Sequence, residues 1–124
     1  MNPTEGQIHQ AFIEYVEVRY PEHADCLFHI PNEGKRSPAE GAKQKRLGLR
    51  KGVADLFFAW PTNDRHDPLH GLWIEIKTAG GRVSKEQEAF IIRMQRNGYA
   101  AHVVRSIDEA IDVFDDYMEM VIYD

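Results

Sequence analysis

Asp55 in "RKGVADLFF" and the pair Glu75 and Lys77 in "GLWIEIKTAGG" have the types and spacing that hydrolysis of a phosphodiester would require. Side chains alternate along a strand, so in "LWIEIKT" Leu72, Ile74 and Ile76 face one side and Trp73, Glu75 and Lys77 the other. The aliphatic side belongs to a core, and Glu75 and Lys77, about 7 Å apart at Cα, can converge on one point beside the sheet. An isolated E-x-K is common, and its plain reading is a weak ion pair worth about 0–1 kcal/mol. Asp55 changes the weighting. It interrupts a run, Val53 to Trp60, that is otherwise apolar on both sides, and a buried carboxylate is costly without a partner, so a cation is expected beside it. If the two segments pair as a hairpin, Asp55 and Glu75 become neighbours, and adjacent carboxylates repel unless a proton or a divalent metal lies between them. Two hard oxygen ligands with room for waters suit Mg²⁺ or Mn²⁺, and the lysine is placed to position an attacking water or to stabilise charge on a phosphate.

The elements that would hold these groups are well punctuated. Thr4 caps a first helix with Ile8, Phe12, Tyr15, Val16 and Arg19 at three- and four-residue spacing, closed by Pro21. "CLFHIP" reads as a short strand and "NEGKRSP" as a loop. Pro38 opens a helix to about Leu47 that Gly48 stops. Strands follow at "VADLFFAW" and "LWIEIKT", joined through the turn-rich "PTNDRHDPLHG" as a hairpin with a long loop. Ser84 and Gln87 form a capping box for a helix ended by Gly98. "AAHVVR" is a fourth strand, and Ser106 with Glu109 caps a last helix along Ile107, Ala110, Ile111, Phe114 and Met118. The order α-β-α-β-β-α-β-α, without repeat or linker, predicts one α/β domain over 1–124, a mixed β-sheet flanked by helices.

At 124 residues and 43% hydrophobic content the chain is long enough for one self-sufficient core. Cys26 is the only cysteine, which excludes an intrachain disulfide and a paired-cysteine metal site. His29, His66, His70 and His102 do not form a spaced ligand set. No apolar run approaches the roughly 20 residues a bilayer needs, and the opening "MNPTEGQIHQ" lacks a signal pattern, so the expectation is a soluble, intracellular (cytoplasmic) protein with no membrane partner. The net charge of −5 disguises a strong asymmetry. Lys35, Arg36, Lys43, Lys45, Arg46, Arg50 and Lys51 stand in one short segment against Glu40 alone, while seven acidic residues and no Lys or Arg follow from Asp108. The basic segment is either a phosphate-backbone contact or a solvated helix face. The acidic last helix either covers a dimer seam or is solvated.

The order and content of "GVADLFF" and "GLWIEIKTAGGRVSKEQEAFI" resemble the PD-(D/E)XK nucleases, and within them the VRR-NUC branch. The resemblance extends through "TEGQIHQAFIEYV", "HIPNEGKRS" and "RNGYAAHVVRSIDEA" and so covers most of the chain. It implies a restriction-endonuclease-like core and a catalytic set in which Asp55 and Glu75 bind the metal together with the backbone carbonyl of Ile76. It also implies that Lys77 engages the nucleophilic water, that Glu5 is a further carboxylate with a candidate metal role, and that Gln87 lies beside the site. Many relatives have proline before the aspartate where this chain has Ala54; that proline shapes backbone and is no ligand. Small standalone relatives, often phage-associated, resemble dimeric cutters of branched DNA such as Holliday junctions. The resemblance thus implies a metal-dependent endonuclease acting as a homodimer.

Several of these residues have a second explanation. Glu5 lies in a first helical turn, where a carboxylate favours the helix dipole. Gln87 is the third residue of a capping box. Lys77 could be only a salt-bridge partner, and Asn32 either contacts substrate or closes an Asx turn. Gly80 and Gly81 either let the chain leave the site without crowding or form a simple turn. A non-catalytic nucleic-acid-binding or assembly module on the same fold is the alternative to an enzyme, and cleavage of RNA uses the same groups as cleavage of DNA.

Overall fold

The computed structural model describes residues 2–31 and 37–122. Its elements are α1 (Glu5–Arg19), a 3₁₀ turn (Ala24–Cys26), β1 (Leu27–His29), α2 (Pro38–Arg46), β2 (Leu56–Phe58), β3 (Leu72–Ile76), α3 (Lys85–Arg96), β4 (Ala100–Val104) and α4 (Ile107–Ile122). The strands lie in the order β1-β2-β3-β4; β1 with β2 and β2 with β3 are antiparallel, and β3 with β4 is parallel. A parallel neighbour requires a crossover, and α3 supplies it.

Each helix begins where its side chains can serve the free N–H groups of the first turn. Thr4 and Gln7 cap α1 reciprocally, Ser84 and Gln87 do the same for α3, and Ser37 Oγ accepts from the Glu40 N–H at the start of α2. At the start of α4, Ser106 Oγ accepts from the Glu109 N–H while Glu109 Oε1 accepts from the Arg105 N–H. Gly48 and Gly98, at φ +103° and +87°, follow α2 and α3 as the sequence requires. Gly80 and Gly81 differ: neither has a positive φ, and the Gly81 N–H closes a turn onto the Thr78 carbonyl at 3.1 Å.

The strands are shorter than the apolar runs that encode them. The run from Val53 to Trp60 yields only Leu56–Phe58, and β3 stops at Ile76, before Lys77 and Thr78. The chain bends at Asp55, and Ala54 turns to pack with Ile91 and Ala101.

Both faces of the sheet are covered. Ile8, Phe12 and Val16 of α1 and Ala110, Phe114, Tyr117 and Met118 of α4 close over Leu56, Phe58, Leu72, Ile74, Ile76 and Val104. On the other face Ile91, Phe90 and Met94 of α3 meet Ala101, Val103 and Trp73, with Trp73 tilted against Phe57 at 4.3 Å and edge-on to Phe90 at 4.9 Å. No buried residue comes from α2, which lies on the surface. Among the described residues no helix is long and apolar enough to cross a membrane.

One acidic residue of α4 has a structural task. The Tyr15 and Tyr20 hydroxyls both donate to the Asp115 carboxylate, at 2.8 and 2.7 Å, joining α1 to α4. The remaining acids Asp108, Glu109, Asp112, Asp116 and Glu119 are exposed. Burial, followed by the hydrogen bond and charge of Asp115, pushes the Tyr20 phenol above its ordinary range, and Tyr15 shifts the same way for the same reasons. A group whose folded pKa is raised gives stability that is complete below its unfolded pKa, about 10 here, and is lost as pH rises beyond it. Tyr20→Phe is expected to cost about 1 kcal/mol near neutral pH. It should also lose stability less steeply than the wild type above about pH 10, as read by urea unfolding at each pH.

Candidate active site

Asp55 immediately precedes Leu56, and Glu75 immediately follows Ile74, the residue paired with Leu56. The two carboxylates therefore leave neighbouring strands at the same end of the sheet. Asp55 is held from both sides. Its carbonyl accepts from the Ile30 N–H at 2.7 Å and lies 3.1 Å from His29 Nδ1, which ties it to the end of β1. Its Oδ2 accepts from the Ile76 N–H at 2.8 Å. In the described structure a backbone amide is thus one partner of this carboxylate. Asp55 is 9% exposed, and this charge-assisted bond supplies one of the contacts that water would otherwise make.

Alternation along β3 explains why that amide is available. The Lys77 N–H donates to the Val104 carbonyl of β4 at 2.9 Å, so Ile76 faces the other edge, toward β2. There the bend at Asp55 has removed the next ladder partner, and the carboxylate fills the place. N–H and C=O of one strand residue point to the same edge, so the Ile76 carbonyl is directed to the Asp55 side as well.

Glu75 is 1% exposed. Its Oε2 lies 3.5 Å from Lys77 Nζ and accepts from Gln87 Nε2 at 3.1 Å. The Gln87 amide has one orientation that serves both ends: Oε1 accepts from the Ser84 N–H at 2.9 Å, leaving Nε2 to donate to Glu75. Gln87 therefore caps α3 and contacts the Glu75 carboxylate at once. The first turn of α3 is near enough for this because Gly52, at φ +85°, lies against it; a Cβ there would sit 2.5 Å from the Glu86 carbonyl carbon and oxygen. A cavity of about 270 Å³ opens beside these groups, lined by Lys51, Gly52, Val53, Asp55, Ser84, Glu86 and Gln87.

Sequence reasoning missed Arg105. In the parallel register it comes directly after Val104, the partner of Ile76, and its Nη1 donates to the carbonyls of Thr78 and Gly81 at 2.9 and 2.7 Å. It holds the turn that follows Lys77. The basic residue ending "AAHVVR" was the available signal, but its target emerges only once the strand order is known.

The other expected residues are dispersed. Glu5 opens α1, half-buried; among the described residues no three His, Cys, Asp or Glu side chains form a group that could hold a metal ion, so Glu5 does not complete a set with Asp55 and Glu75. Lys43, Lys45 and Arg46 are exposed on the last turn of α2. Arg50 folds back, its Nη1 donating to the Lys45 carbonyl at 3.2 Å, while Lys51 lines the cavity beside Asp55. Asn32, Lys35 and Arg36 lie outside the described residues. The donor set still fits a small hard cation: two carboxylates and a carbonyl at one strand end, beside an open cavity, match the few protein ligands and retained waters that Mg²⁺ takes.

A mixed sheet with two carboxylates and a lysine gathered at one end, beneath the N-terminus of a covering helix, defines a nuclease-type domain. The chain belongs to the VRR-NUC domain family, whose family model matches residues 4–108. A solved structure described as a VRR_NUC domain protein is 26% identical, with 97% of this chain and 92% of that chain covered and a TM-score of 0.82. No curated protein matches the chain.

The two tasks of Gln87 can be separated. Gln87→Ala removes cap and carboxylate contact together and should cost about 1–2 kcal/mol. Gln87→Glu retains a capping residue but sets a second carboxylate beside Glu75. Repulsion raises the folded pKa of the pair, so this variant should be less stable than wild type at pH 7, with the gap closing as pH falls toward about 5, measured by urea unfolding at both values.

Proposed function

We propose that this chain is a Mg²⁺- or Mn²⁺-dependent, structure-selective DNA endonuclease that hydrolyses phosphodiester bonds in branched, Holliday-junction-like DNA and acts as a homodimer. The observation that carries the reading is the joint fixing of Asp55 by the Ile76 N–H and of Glu75 by Gln87 and Lys77 at one open strand end. Two carboxylates held together in this way cost stability, and a fold that needed only packing would place apolar side chains there.

Asp55, Glu75 and the Ile76 carbonyl would hold the cation, which when bound supplies charge neutralisation of the pair and of the phosphate. Lys77 orients water for in-line attack and faces the developing negative charge. Gln87 keeps Glu75 in place by a hydrogen bond that already exists, so little reorganisation is left to substrate binding. Lys43, Lys45 and Arg46 contact the phosphate backbone outside the cavity, and Lys51 contacts it at the entrance. A chain this small binds a branched duplex symmetrically most simply as two copies related by a two-fold axis.

The test is cleavage of a labelled four-way DNA junction beside linear duplex, single strand and a matched RNA, with Mg²⁺, Mn²⁺ or EDTA. Metal-dependent cutting of the junction is expected, reduced at least about 100-fold by Lys77→Ala while folding is kept. Tight junction binding with no cutting under either metal would instead favour the non-catalytic binding module. Replacing Lys43, Lys45 and Arg46 together by Ala should weaken duplex binding irrespective of sequence and flatten its salt dependence by up to about 2.7 in log–log slope. An unchanged slope would remove α2 from the DNA surface.

A further inference from the structure

Gln87 fixes Glu75 from the side of the sheet that α3 covers, and a different pair of residues reaches Asp55 from the other side. His29 is paired in register with Leu56, whose side chain packs under α1, so its ring stands on the α1 face. There it meets His9, the residue after Ile8 on α1, edge-on at 4.8 Å between ring centroids and 81° between planes. His29 Nδ1 lies 3.1 Å from the Asp55 carbonyl oxygen.

An exposed histidine at the end of a short strand is by itself a solvated side chain. Three features give this one a task. A carbonyl oxygen only accepts, so Nδ1 carries the proton and the fold itself sets the tautomer. The same oxygen also accepts from the Ile30 N–H at 2.7 Å, so both of its lone pairs are occupied and the peptide joining Asp55 to Leu56 turns only by breaking two bonds. That peptide lies where the chain bends into β2, and its rotation would swing the Asp55 carboxylate off the Ile76 N–H, 2.8 Å away.

We infer that His29 is a positioning residue for Asp55: its Nδ1–H holds the Asp55 peptide at the bend, and His9 holds the imidazole in the orientation that keeps that bond. The consequence for cutting rests on the nuclease reading, in which Asp55 binds the metal; the clamp itself rests on the contacts alone. The two carboxylates are then secured from opposite faces of the sheet, Glu75 by the cap of α3 and Asp55 by β1 backed by α1.

The clamp is read first without metal or DNA, by amide hydrogen exchange followed residue by residue by NMR in EDTA. His29 is exposed, so its variants keep the core. His29→Ala is expected to speed exchange of the Ile76 and Ile30 amides at least about fivefold, the worth of one hydrogen bond, while Leu72, at the far end of β3, keeps its rate. His29→Asn should restore both amides, because Asn Nδ2 takes the place of Nδ1; His29→Gln, whose amide lies one bond further out, should not. His9→Ala should act in the same direction and add nothing to His29→Ala. In cleavage of the four-way junction with Mg²⁺, His29→Ala is expected to lower kcat at least about tenfold with KM kept within about twofold, and His29→Asn to recover it. Unchanged Ile76 exchange in His29→Ala would overturn the proposal, as would equal rescue by Asn and Gln, or a loss confined to KM. If the wild type cuts nothing under either metal, the nuclease reading falls, and the exchange rates still decide whether the clamp exists.

Discussion

The acceptance of the Ile76 N–H by the Asp55 carboxylate organises this molecule. A ladder continued as far as Ala54 would bring that residue's backbone carbonyl to the amide and extend β2. The bend at Asp55 exchanges a regular strand residue for a buried charge held by the backbone. The consequences spread outward: β3 ends where chemistry can begin, the Ile76 carbonyl is left at the same edge, and Ala54 turns to the α3 side, where it joins Ile91 and Ala101. A position that reads as a fault in an apolar run is the point from which the site is built.

The second constraint is that α3 reports to the same place. A helix N-terminus must satisfy its free N–H groups, and an Ser-x-x-Gln box is one of several ways to do so. Glutamine at the third position, in place of glutamate, leaves an amide nitrogen over, and that nitrogen reaches Glu75. Local capping and order at the site are consequently one cooperative unit, so fraying of the first turn of α3 releases the carboxylate. Arg105 does comparable work on the opposite flank by gathering the carbonyls of the turn after Lys77.

Much of this was legible from the residues. Helix boundaries followed from Thr4, Ser84, Ser106, Gly48 and Gly98, whose side chains or permitted backbone angles act within a turn of themselves. The hairpin that brings Asp55 near Glu75 followed from two apolar runs around a turn-rich loop, and both segments carried the family resemblance. What could not be read depended on register. The shortness of β2 arises because a side chain captures a ladder amide, which no period-two pattern announces. Arg105 lies 28 residues from Lys77 in sequence, and only the parallel pairing of β3 with β4 makes them neighbours. Gly80 and Gly81 follow the plainer of their two readings, a simple turn closed onto the Thr78 carbonyl with no positive φ at either.

Gly52 sets the distance between the Lys51 segment and the first turn of α3 by contact with the Glu86 backbone. This is a hard stop made by excluded volume. Ion pairs and hydrogen bonds to charged groups loosen as salt rises or protons bind, but the radius of a carbonyl does not. The mouth of the cavity therefore has a least width that is the same at every ionic strength, because no change in screening lets Gly52 and the Glu86 backbone approach further.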